Sequence, residues 1–471
     1  MPVAISPPQS GSAPPFDPWL SCKMSADVAA ARHRDESTLA AQRASRLKEL
    51  LVAALGSRLY RPLLASRPLD EWRLEDLPPV RKGDLMSRFD DWVTDRAIRL
   101  ADVQQFVADR TRIGEGFLGR YAVWESSGST GEPGLFLHDA AALAVYDALE
   151  AVRRHSPRPA LRMVDPMFLS ERIAYVGATG GHFASAATIE RLRRLNPMLA
   201  PRLRSFSFLE PLPRLIEQLD AYAPTILSSY PSAAVILAEE RLAGRLRIEP
   251  REVWTGGETL TPAMRSFLRE AFRCPVGNDY GASEFLALGC ECAFGHLHLN
   301  SDWAILESVD EQGAPVAPGE SGARCLLTNL ANHVQPLIRY DLGDRLRFHD
   351  RPCACGSPFP VIEVRGRSDD TLRLGDGDRE IRVSPLAVST VLEDDAGLFD
   401  FQLVQRGPSR LELTTRLRGR AALQDLHRGR DALQAFIDGQ GARGVSIRCR
   451  CVEPIRQGES GKIKRVVATA Q

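Results

Sequence analysis

The sequence predicts an α/β protein of at least two domains, and three observations support this. The chain has 471 residues, more than one domain usually contains. Between about residues 120 and 280, helical patterns alternate with short apolar runs such as ERIAYVG, PTILSSY and REVWTGG, which predicts βαβ units and parallel strands. From about residue 368 onward, the pattern is that of a compact α+β module.

The other regions follow in chain order. Residues 1–18 are rich in proline, and we predict a disordered lead-in. Residues 25 to 60 have the apolar spacing of a helical region. From about 300 to 365 the pattern is strand-rich, with glycine and proline at the turns. We therefore expect an N-terminal domain over 19–367 and a C-terminal domain over 368–471.

Composition limits the classes of function. The chain is 44% hydrophobic and 25% charged with no formal net charge, which is typical of a globular protein and does not favour nucleic acid or a membrane as a partner. No apolar run approaches the roughly 18 residues of a membrane span. Prolines stand where a signal peptide would have its apolar core, and nine cysteines are too few and too clustered for a disulfide framework. We expect a cytoplasmic protein.

The stretch WESSGSTGEPG, residues 124–134, is a candidate phosphate-binding loop. Two glycines permit close backbone approach and four hydroxyls can donate hydrogen bonds; the residues concerned are Ser126, Ser127, Gly128, Ser129, Thr130 and Gly131. Glu132 stands where such a loop often carries lysine. Taken alone, this stretch is better explained as a surface turn.

Four later stretches change that balance. NDYGASEF, residues 278–285, places an aromatic residue, small residues and the Mg²⁺-binding candidate Glu284 in one predicted turn. In RYDLGDR, Asp344 follows a glycine turn and is suited to accept hydrogen bonds from ribose hydroxyls. VRGRSDD lies at the predicted domain boundary, and SGKIKR, with two of the chain's five lysines, closes the chain.

In this order, the four stretches resemble the adenylate-forming superfamily of acyl-CoA synthetases, luciferases and adenylation domains, and in particular the phenylacetate-CoA ligase family. PPVRKGDLMSRFDDW, residues 78–92, resembles that family's N-terminal segment of prolines and lysine. The resemblance runs from about residue 40 to the C-terminus. It implies a large N-terminal domain of layered α/β subdomains with a β-barrel-like part, and a small mobile α+β C-terminal domain.

The resemblance also implies roles for individual residues. The loop Ser126–Gly131 would hold the ATP phosphates, Glu284 would bind Mg²⁺, Asp369 would be the hinge and Lys462 would enter the site from the small domain when it closes. The remaining nucleotide contacts fall on Gly256, Gly257, Glu258, Asn278, Asp279, Tyr280, Gly281, Asp344 and Arg367.

The implied activity has two half-reactions on one site. A carboxylic acid and Mg²⁺-ATP give an acyl-adenylate and pyrophosphate, and coenzyme A then takes the acyl group. The partners expected are the acid, coenzyme A and, in a homodimer, a second copy of the chain. Because LRLGDGDREIRVSP, residues 372–385, is longer and more charged than the family's loop, a carrier protein or an amine stays open as the acceptor. A catalytically silent nucleotide-binding scaffold is the alternative from another class.

The acid is expected to be an aryl or arylacetic acid. YVGATGGHFAS, residues 175–185, resembles the family stretch that lines the acyl pocket, where Gly180 and Gly181 give room for a flat ring and His182 lies near the carboxylate. Tyr230, in SSYPSAA, would form the opposite wall. A histidine in an apolar run is also a common core residue, so His182 has two interpretations.

The cysteines indicate a second kind of site. CECAFGHLHL and CACG bring soft thiolate and imidazole ligands that suit Zn²⁺, and some relatives in the family carry a similar arrangement. The predicted set is Cys292, His298, Cys353 and Cys355. Four protein ligands predict a closed, structural zinc site, whereas free thiols and a surface histidine are the alternative.

Overall fold

The structure is a computed structural model that describes residues 12–126, 134–365, 371–375, 380–398, 401–415, 419–451 and 465–468. Its α-helices are α1 Pro18–Ala31, α2 Glu36–Ala54, α3 Arg61–Leu64, α4 Lys82–Ser87, α5 Phe89–Trp92, α6 Leu100–Ala108, α7 Ala140–Arg153, α8 Pro159–Val164, α9 Ala184–Leu195, α10 Leu212–Tyr222, α11 Pro231–Leu242, α12 Pro262–Phe272, α13 Pro385–Thr390 and α14 Arg420–Gly439.

The strands are β1 Ala122–Glu125, β2 Leu135–His138, β3 Ile173–Gly177, β4 Leu203–Ser207, β5 Ile226–Ser229, β6 Glu252–Gly256, β7 Val276–Ala282, β8 Phe285–Glu291, β9 Leu297–Leu299, β10 Ala304–Val309, β11 Arg324–Asn329, β12 Tyr340–Asp341, β13 Arg345–Phe348, β14 Val361–Arg365, β15 Leu372–Leu374, β16 Ile381–Val383, β17 Gln402–Gly407, β18 Arg410–Thr415, β19 Ser446–Cys451 and β20 Val466–Ala468.

The helical region predicted over 25–60 begins earlier and is divided. Asp17 caps α1 by accepting hydrogen bonds from two backbone N–H groups, and Pro18 occupies the first helical position. Asp35 caps α2 by accepting from the N–H of Thr38. Because α1 and α2 each have their own N-cap, the stretch with helical apolar spacing forms two helices instead of one. Of the predicted lead-in, residues 1–11 lie outside the described residues.

A nine-stranded sheet, in the order β13-β14-β9-β8-β7-β6-β5-β3-β4, organises the molecule. The runs predicted as strands in the alternating region form β3, β5 and β6. The neighbouring pairs β3–β4, β3–β5, β5–β6 and β6–β7 are parallel. Helices α9 to α12 connect these strands. The predicted α/β fold is thereby confirmed. The carboxyl ends of the parallel strands lie at one edge of the sheet, where open α/β sheets commonly bind ligands.

One local prediction is wrong. NDYGASEF is not a single turn, because its first five residues continue β7 and only Ser283 and Glu284 separate it from the antiparallel strand β8. Gly281 makes this hairpin possible: a Cβ atom there would stand 1.8 Å from the carbonyl oxygen of Leu286. The close approach of two backbones, which a composition pattern does not reveal, decides the local structure.

The strand-rich region forms a three-stranded sheet, β10-β11-β12, while β13 and β14 extend the large sheet. Within the described part of the chain, the sheets include no closed barrel. We name residues 371–468 the C-terminal unit. One of its sheets has the order β19-β18-β17-β20, and one apolar core cluster, from Leu372 to Val466, consists of residues of this unit alone. No helix among the described residues has the length and apolar character needed to cross a membrane.

Candidate active site

The base of the Ser/Gly-rich loop lies where β1 ends and β2 begins. The N–H of Ser126 donates to the carbonyl of Gly134 (2.8 Å), and the N–H of Gly134 donates to the Ser126 hydroxyl (3.0 Å). The Ser283 hydroxyl also donates to the carbonyl of Glu125 (3.0 Å). The loop base is therefore fixed to the β7–β8 hairpin. Ser127, Gly128, Ser129, Thr130 and Gly131 lie outside the described residues.

Lys82, in the segment of prolines and lysine at residues 78–92, lies beside this loop base. A Cβ atom at Gly134 would be 3.0 Å from Lys82 Cδ and 2.8 Å from the Ser126 hydroxyl. Lys82 is also close enough to Glu284 for its charge to lower the pKa of that carboxyl group. The positively charged side chain of Lys82 therefore lies next to the base of a loop whose sequence contains no lysine or arginine. The rarity of lysine in this chain was the signal that could have identified it.

Glu284 is buried in the turn between β7 and β8, with 7% of its surface exposed. Its Oε1 accepts a hydrogen bond from the Tyr340 hydroxyl (2.8 Å), and its backbone carbonyl accepts one from the Asn329 amide (2.8 Å). Burial raises the pKa of the Glu284 carboxyl, against the opposing effects of Tyr340 and Lys82. A carboxylate that is buried at a loop and only partly neutralised by its neighbours is a suitable ligand for Mg²⁺.

Asp344 lies near the same hairpin. Gly343 before it has φ +72, so the predicted glycine turn is present. The Tyr280 hydroxyl donates to Asp344 Oδ2 (3.0 Å), and this contact together with burial raises the pKa of Tyr280 well above 10. The pair joins two of the predicted nucleotide contacts.

Asn278 and Asp279 are adjacent on β7 but make contacts in different directions, as alternation along a strand requires. The Asn278 side-chain oxygen accepts from the Thr255 hydroxyl (3.0 Å). Asp279 forms an ion pair with Arg154 (2.7 Å), which stacks on Trp254. The side chains of Asn278 and Asp279 therefore have different partners, Thr255 and Arg154. The predicted contact of Asp279 with the nucleotide stays a prediction.

Gly256, Gly257 and Glu258 follow one another at the carboxyl end of β6. Gly257 has φ +77, and a Cβ atom there would stand 2.7 Å from the Tyr230 ring. The Glu258 carboxylate accepts from the N–H and the hydroxyl of Ser232 (2.9 and 3.1 Å), at the start of α11. This strand end is thus closely packed, and Glu258 already has partners within the protein.

The two glycines of the predicted acyl pocket face charged groups. A Cβ atom at Gly180 would be 3.6 Å from Arg110 Nη1, and one at Gly181 would be 3.4 Å from Glu125 Oε2. Burial raises the pKa of Glu125, while the positive charge of Arg110 lowers it. The sequence gives no signal for either residue, since no local pattern connects Arg110, in a short helical turn after α6, with Glu125 at the end of β1.

His182 and Tyr230, the other predicted pocket residues, are both largely enclosed. The N–H of His182 donates to Glu125 Oε2 (2.9 Å), while its ring packs on Phe106 with 5.2 Å between centroids. Burial lowers the pKa of His182. The Tyr230 hydroxyl accepts from Tyr175 (3.0 Å). The contacts of His182 match the core interpretation, and the substrate role stays a prediction. Arg367, Asp369 and Lys462 lie outside the described residues.

The four predicted zinc ligands are brought together. The ligand atoms of Cys292, His298, Cys353 and Cys355 all lie within 4.8 Å of one another. His298 Nδ1 donates to the carbonyl of Phe359 (2.8 Å), which leaves Nε2, 3.3 Å from Cys355 Sγ, for a metal. Three thiols and one imidazole in this spacing fit a tetrahedral Zn²⁺ site. All nine cysteines of the chain are free of disulfides.

The chain resembles known proteins in part of its sequence and in its fold. No family profile matches the chain. Protein CapK of Staphylococcus aureus is 27% identical to this chain over 143 residues. The match covers 30% of this chain and 30% of the length of CapK. 2-Hydroxyisobutyryl-CoA ligase, solved with its acyl-AMP and CoA in the thioesterification state, superposes with a TM-score of 0.54 at 20% identity and covers 93% of this chain and 90% of its own.

The same ligase in an open conformation, also with acyl-AMP and CoA, gives a TM-score of 0.50 at 20% identity and 90% coverage of both chains. The chain therefore shares the fold of 2-hydroxyisobutyryl-CoA ligase over about nine-tenths of its length. Its resemblance to the phenylacetate-CoA ligases in particular stays a prediction.

Proposed function

We propose that this chain is an AMP-forming acid–thiol ligase, which converts a carboxylic acid to an acyl-adenylate and then to a coenzyme A thioester. One observation carries the proposal. The base of the Ser/Gly-rich loop, the buried carboxylate of Glu284 and the cation of Lys82 come from distant parts of the sequence and meet at one place. A phosphate-binding loop, a Mg²⁺ ligand and a cation are the parts that nucleotidyl transfer needs.

In the first half-reaction, a carboxylate oxygen of the acid attacks the α-phosphorus of ATP, and the bond to pyrophosphate breaks. Lys82 offsets negative charge beside the loop that holds the β and γ phosphates, and Lys462 does so at the α-phosphate. Mg²⁺, when bound at Glu284, neutralises phosphate charge. Asp344 accepts hydrogen bonds from the ribose, and Gly256 and Gly257 border the adenine.

In the second half-reaction, the thiolate of coenzyme A attacks the acyl carbon and AMP leaves. The fold shared with a CoA ligase supports coenzyme A as the acceptor. Rotation of the C-terminal unit at Asp369 would present the second reactant. An aryl or arylacetic acid would occupy the space beside Gly180 and Gly181, where Arg110 and Glu125 also face the pocket.

The test is acid-dependent pyrophosphate release with a panel of aryl, arylacetic and aliphatic acids, each with and without coenzyme A. We expect release with some acid, faster turnover with coenzyme A, and a thioester product. Release that coenzyme A does not accelerate would redirect the second step to a carrier protein or an amine. ATP binding without release for any acid would contradict the proposal and favour a scaffold.

Two lysines at the end of the chain provide a matched pair for this assay. Lys462→Ala should slow acid-dependent pyrophosphate release by about 100-fold or more, because it removes a charge that acts at the reacting phosphate. Lys464→Ala, two residues away, should leave the rate within about twofold. Equal rates for the two variants would contradict the role of Lys462.

A further inference from the structure

Two oppositely charged side chains border the space beside Gly180 and Gly181, where the proposed function places the acid. A Cβ atom at Gly180 would stand 3.6 Å from Arg110 Nη1, and one at Gly181 would stand 3.4 Å from Glu125 Oε2. The positive charge of Arg110 also lowers the pKa of Glu125. Because neither glycine has a side chain that could cover them, both charged groups can reach a ligand in this space.

Arg110 and Glu125 nevertheless form no ion pair with each other. Within the described part of the chain, the Arg110 guanidinium donates no hydrogen bond, and the Glu125 carboxylate accepts one, at Oε2, from the N–H of His182 (2.9 Å). Glu125 Oε1 has no partner there, although Glu125 is partly buried. A partly buried carboxylate oxygen without a protein partner is satisfied by water or by a ligand. Two unpaired charged groups therefore remain at this place for a ligand to contact.

Asp394 of the C-terminal unit adds a second carboxyl group near the same space. It lies in the π-helical turn Val391–Asp395, which follows α13. Burial and the negative charge of Glu125 raise the pKa of Asp394 to about 7, whereas the charge of Arg110 lowers it. One positive and up to two negative charges therefore border the space, so an additional negative group on the ligand is disfavoured.

The chemistry of Arg110 and Glu125 limits which single group can pair with both. A guanidinium group only donates hydrogen bonds, and an ionised carboxylate only accepts them. A hydroxyl does both, since its oxygen can accept from Arg110 while its hydrogen is donated to Glu125. An ammonium group would leave Arg110 without an acceptor. A second carboxylate would leave Glu125 without a donor, and an alkyl group would leave both residues unpaired.

We propose that the acid activated by this chain carries a hydroxyl group on its acyl part, and that Arg110 and Glu125 select the acid through that hydroxyl. The inference rests on the proposed function and names the substrate class within it, a hydroxy acid. Both residues determine specificity in this proposal and take no part in the reaction at the α-phosphorus.

The exposure of the two residues sets the size of the expected selectivity. A site that fully buries its hydrogen-bonding groups rejects an analogue without the hydroxyl by roughly 10⁴-fold or more. Here Arg110 is exposed and Glu125 is only partly buried, so water can replace a missing hydroxyl. We therefore expect a preference of about tenfold or more, well below that of a closed site.

Matched acids test the proposal. Benzoic, phenylacetic and short aliphatic acids are each prepared with a hydroxyl, methyl, aminomethyl or carboxyl substituent at the same position, and acid-dependent pyrophosphate release gives kcat/KM for each. Methyl and hydroxyl groups are similar in size, so their ratio measures hydrogen bonding more than fit. In at least one series, the hydroxyl member should exceed the other three by about tenfold or more. If no series prefers its hydroxyl member, the proposal is overturned.

Arginine variants test the donor. Arg110→Met should lower the hydroxyl-to-methyl ratio of kcat/KM by about fivefold or more, mainly through the hydroxy acid, and Arg110→Lys should recover part of it because lysine also donates. Arg251→Met is the matched control: Arg251 is exposed and directly precedes β6, at the edge of the sheet opposite the candidate site. Equal ratios in Arg110→Met and Arg251→Met would overturn the role of Arg110.

A glutamine variant tests the acceptor. Glu125→Gln keeps the size of the side chain and an oxygen that can accept from the N–H of His182, so the fold should be retained. A neutral acceptor binds a hydroxyl more weakly than a carboxylate does, and the hydroxyl-to-methyl ratio should fall by about threefold or more. Melting temperatures confirm that the variants are folded. An unchanged ratio in folded Glu125→Gln would contradict selection by Glu125.

This proposal and the proposed function fail in different ways. If no acid of any series releases pyrophosphate, the proposed function is wrong and the selection of a hydroxy acid falls with it. If acids release pyrophosphate but hydroxyl and methyl members react equally well, the proposed function stands and only the selection of a hydroxy acid is overturned.

Discussion

In Glu284, the proposed Mg²⁺ ligand, burial of the ionised carboxyl group costs stability. Its carboxyl is buried next to Tyr340 and Lys82, and the pKa is raised because burial outweighs both. A carboxyl whose folded pKa exceeds its unfolded value of 4.5 stabilises the fold when protonated, and this stability is lost as pH rises between the two values. The residue is therefore expected to be retained for its chemistry.

The variant Glu284→Gln should separate the effect of this residue on stability from its effect on adenylation. Without added Mg²⁺, the melting temperature of the variant relative to wild type should rise as the pH increases above about 4.5, since glutamine stays neutral. Acid-dependent pyrophosphate release should fall by about 100-fold or more. Thermal scans across pH and the release assay check this, with the exposed Glu311→Gln as control. A variant that loses relative stability as pH rises would contradict the assignment.

At the scale of elements, the β7–β8 hairpin positions the candidate site. It carries Tyr280, Ser283 and Glu284, and its turn is held by the Glu125 carbonyl and by His138, which donates to the carbonyl of Ser283 (3.1 Å). Gly281 lets the two strands cross closely, as no other residue type could without a backbone shift. The hairpin therefore depends on the glycine at position 281, which permits this close approach.

Two glycines of β7 provide a matched test of this. Gly281→Ala places a methyl group against the Leu286 carbonyl and should cost roughly 1–3 kcal/mol or more of unfolding free energy and lower adenylation. At Gly277 no atom lies within 4 Å of the added Cβ, so Gly277→Ala should change stability by less than about 0.5 kcal/mol. Denaturant titration compares them. Equal stabilities would show that the hairpin accommodates the methyl group.

The predicted zinc site joins the β8–β9 turn to the loop before β14. We expect about one equivalent of zinc in protein purified without added metal, because four ligands form one tetrahedral site. Cys355→Ser should lose zinc and melt at a lower temperature, whereas the exposed Cys22→Ser should keep both. Metal analysis and thermal scans measure this. A metal-free protein of full stability would contradict a structural zinc site.

At the scale of the whole molecule, the separate core of the C-terminal unit predicts two unfolding transitions. Leu403→Ala and Leu227→Ala remove equally buried side chains from different core clusters. Each should cost about 2–5 kcal/mol, but each should lower only the transition of its own unit. Scanning calorimetry of the full chain measures which transition each variant lowers. One cooperative transition, lowered by both variants, would contradict independent units and the boundary predicted near 368.

Much of this protein could be predicted from the sequence because the signals are local. Apolar runs separated by helical patterns gave the parallel strands β3, β5 and β6, since the period of a strand or helix is written in consecutive residues. The four candidate zinc ligands were predicted because thiolate and imidazole groups are the ligand types that suit Zn²⁺. The glycine turn before Asp344 was predicted for the same reason, because turn residues act over four positions.

The tertiary structure alone decided how distant residues meet. It brought Lys82 to Glu284, placed Arg110 and Glu125 at the glycines of the predicted acyl pocket, and directed Asp279 to Arg154. It also placed the hydroxyl of Ser384, which caps α13, 3.1 Å from the hydroxyl of Ser232 on α11. These contacts depend on strand order, strand facing and close backbone approach, which arise when elements pack and are not encoded in any short stretch of the chain.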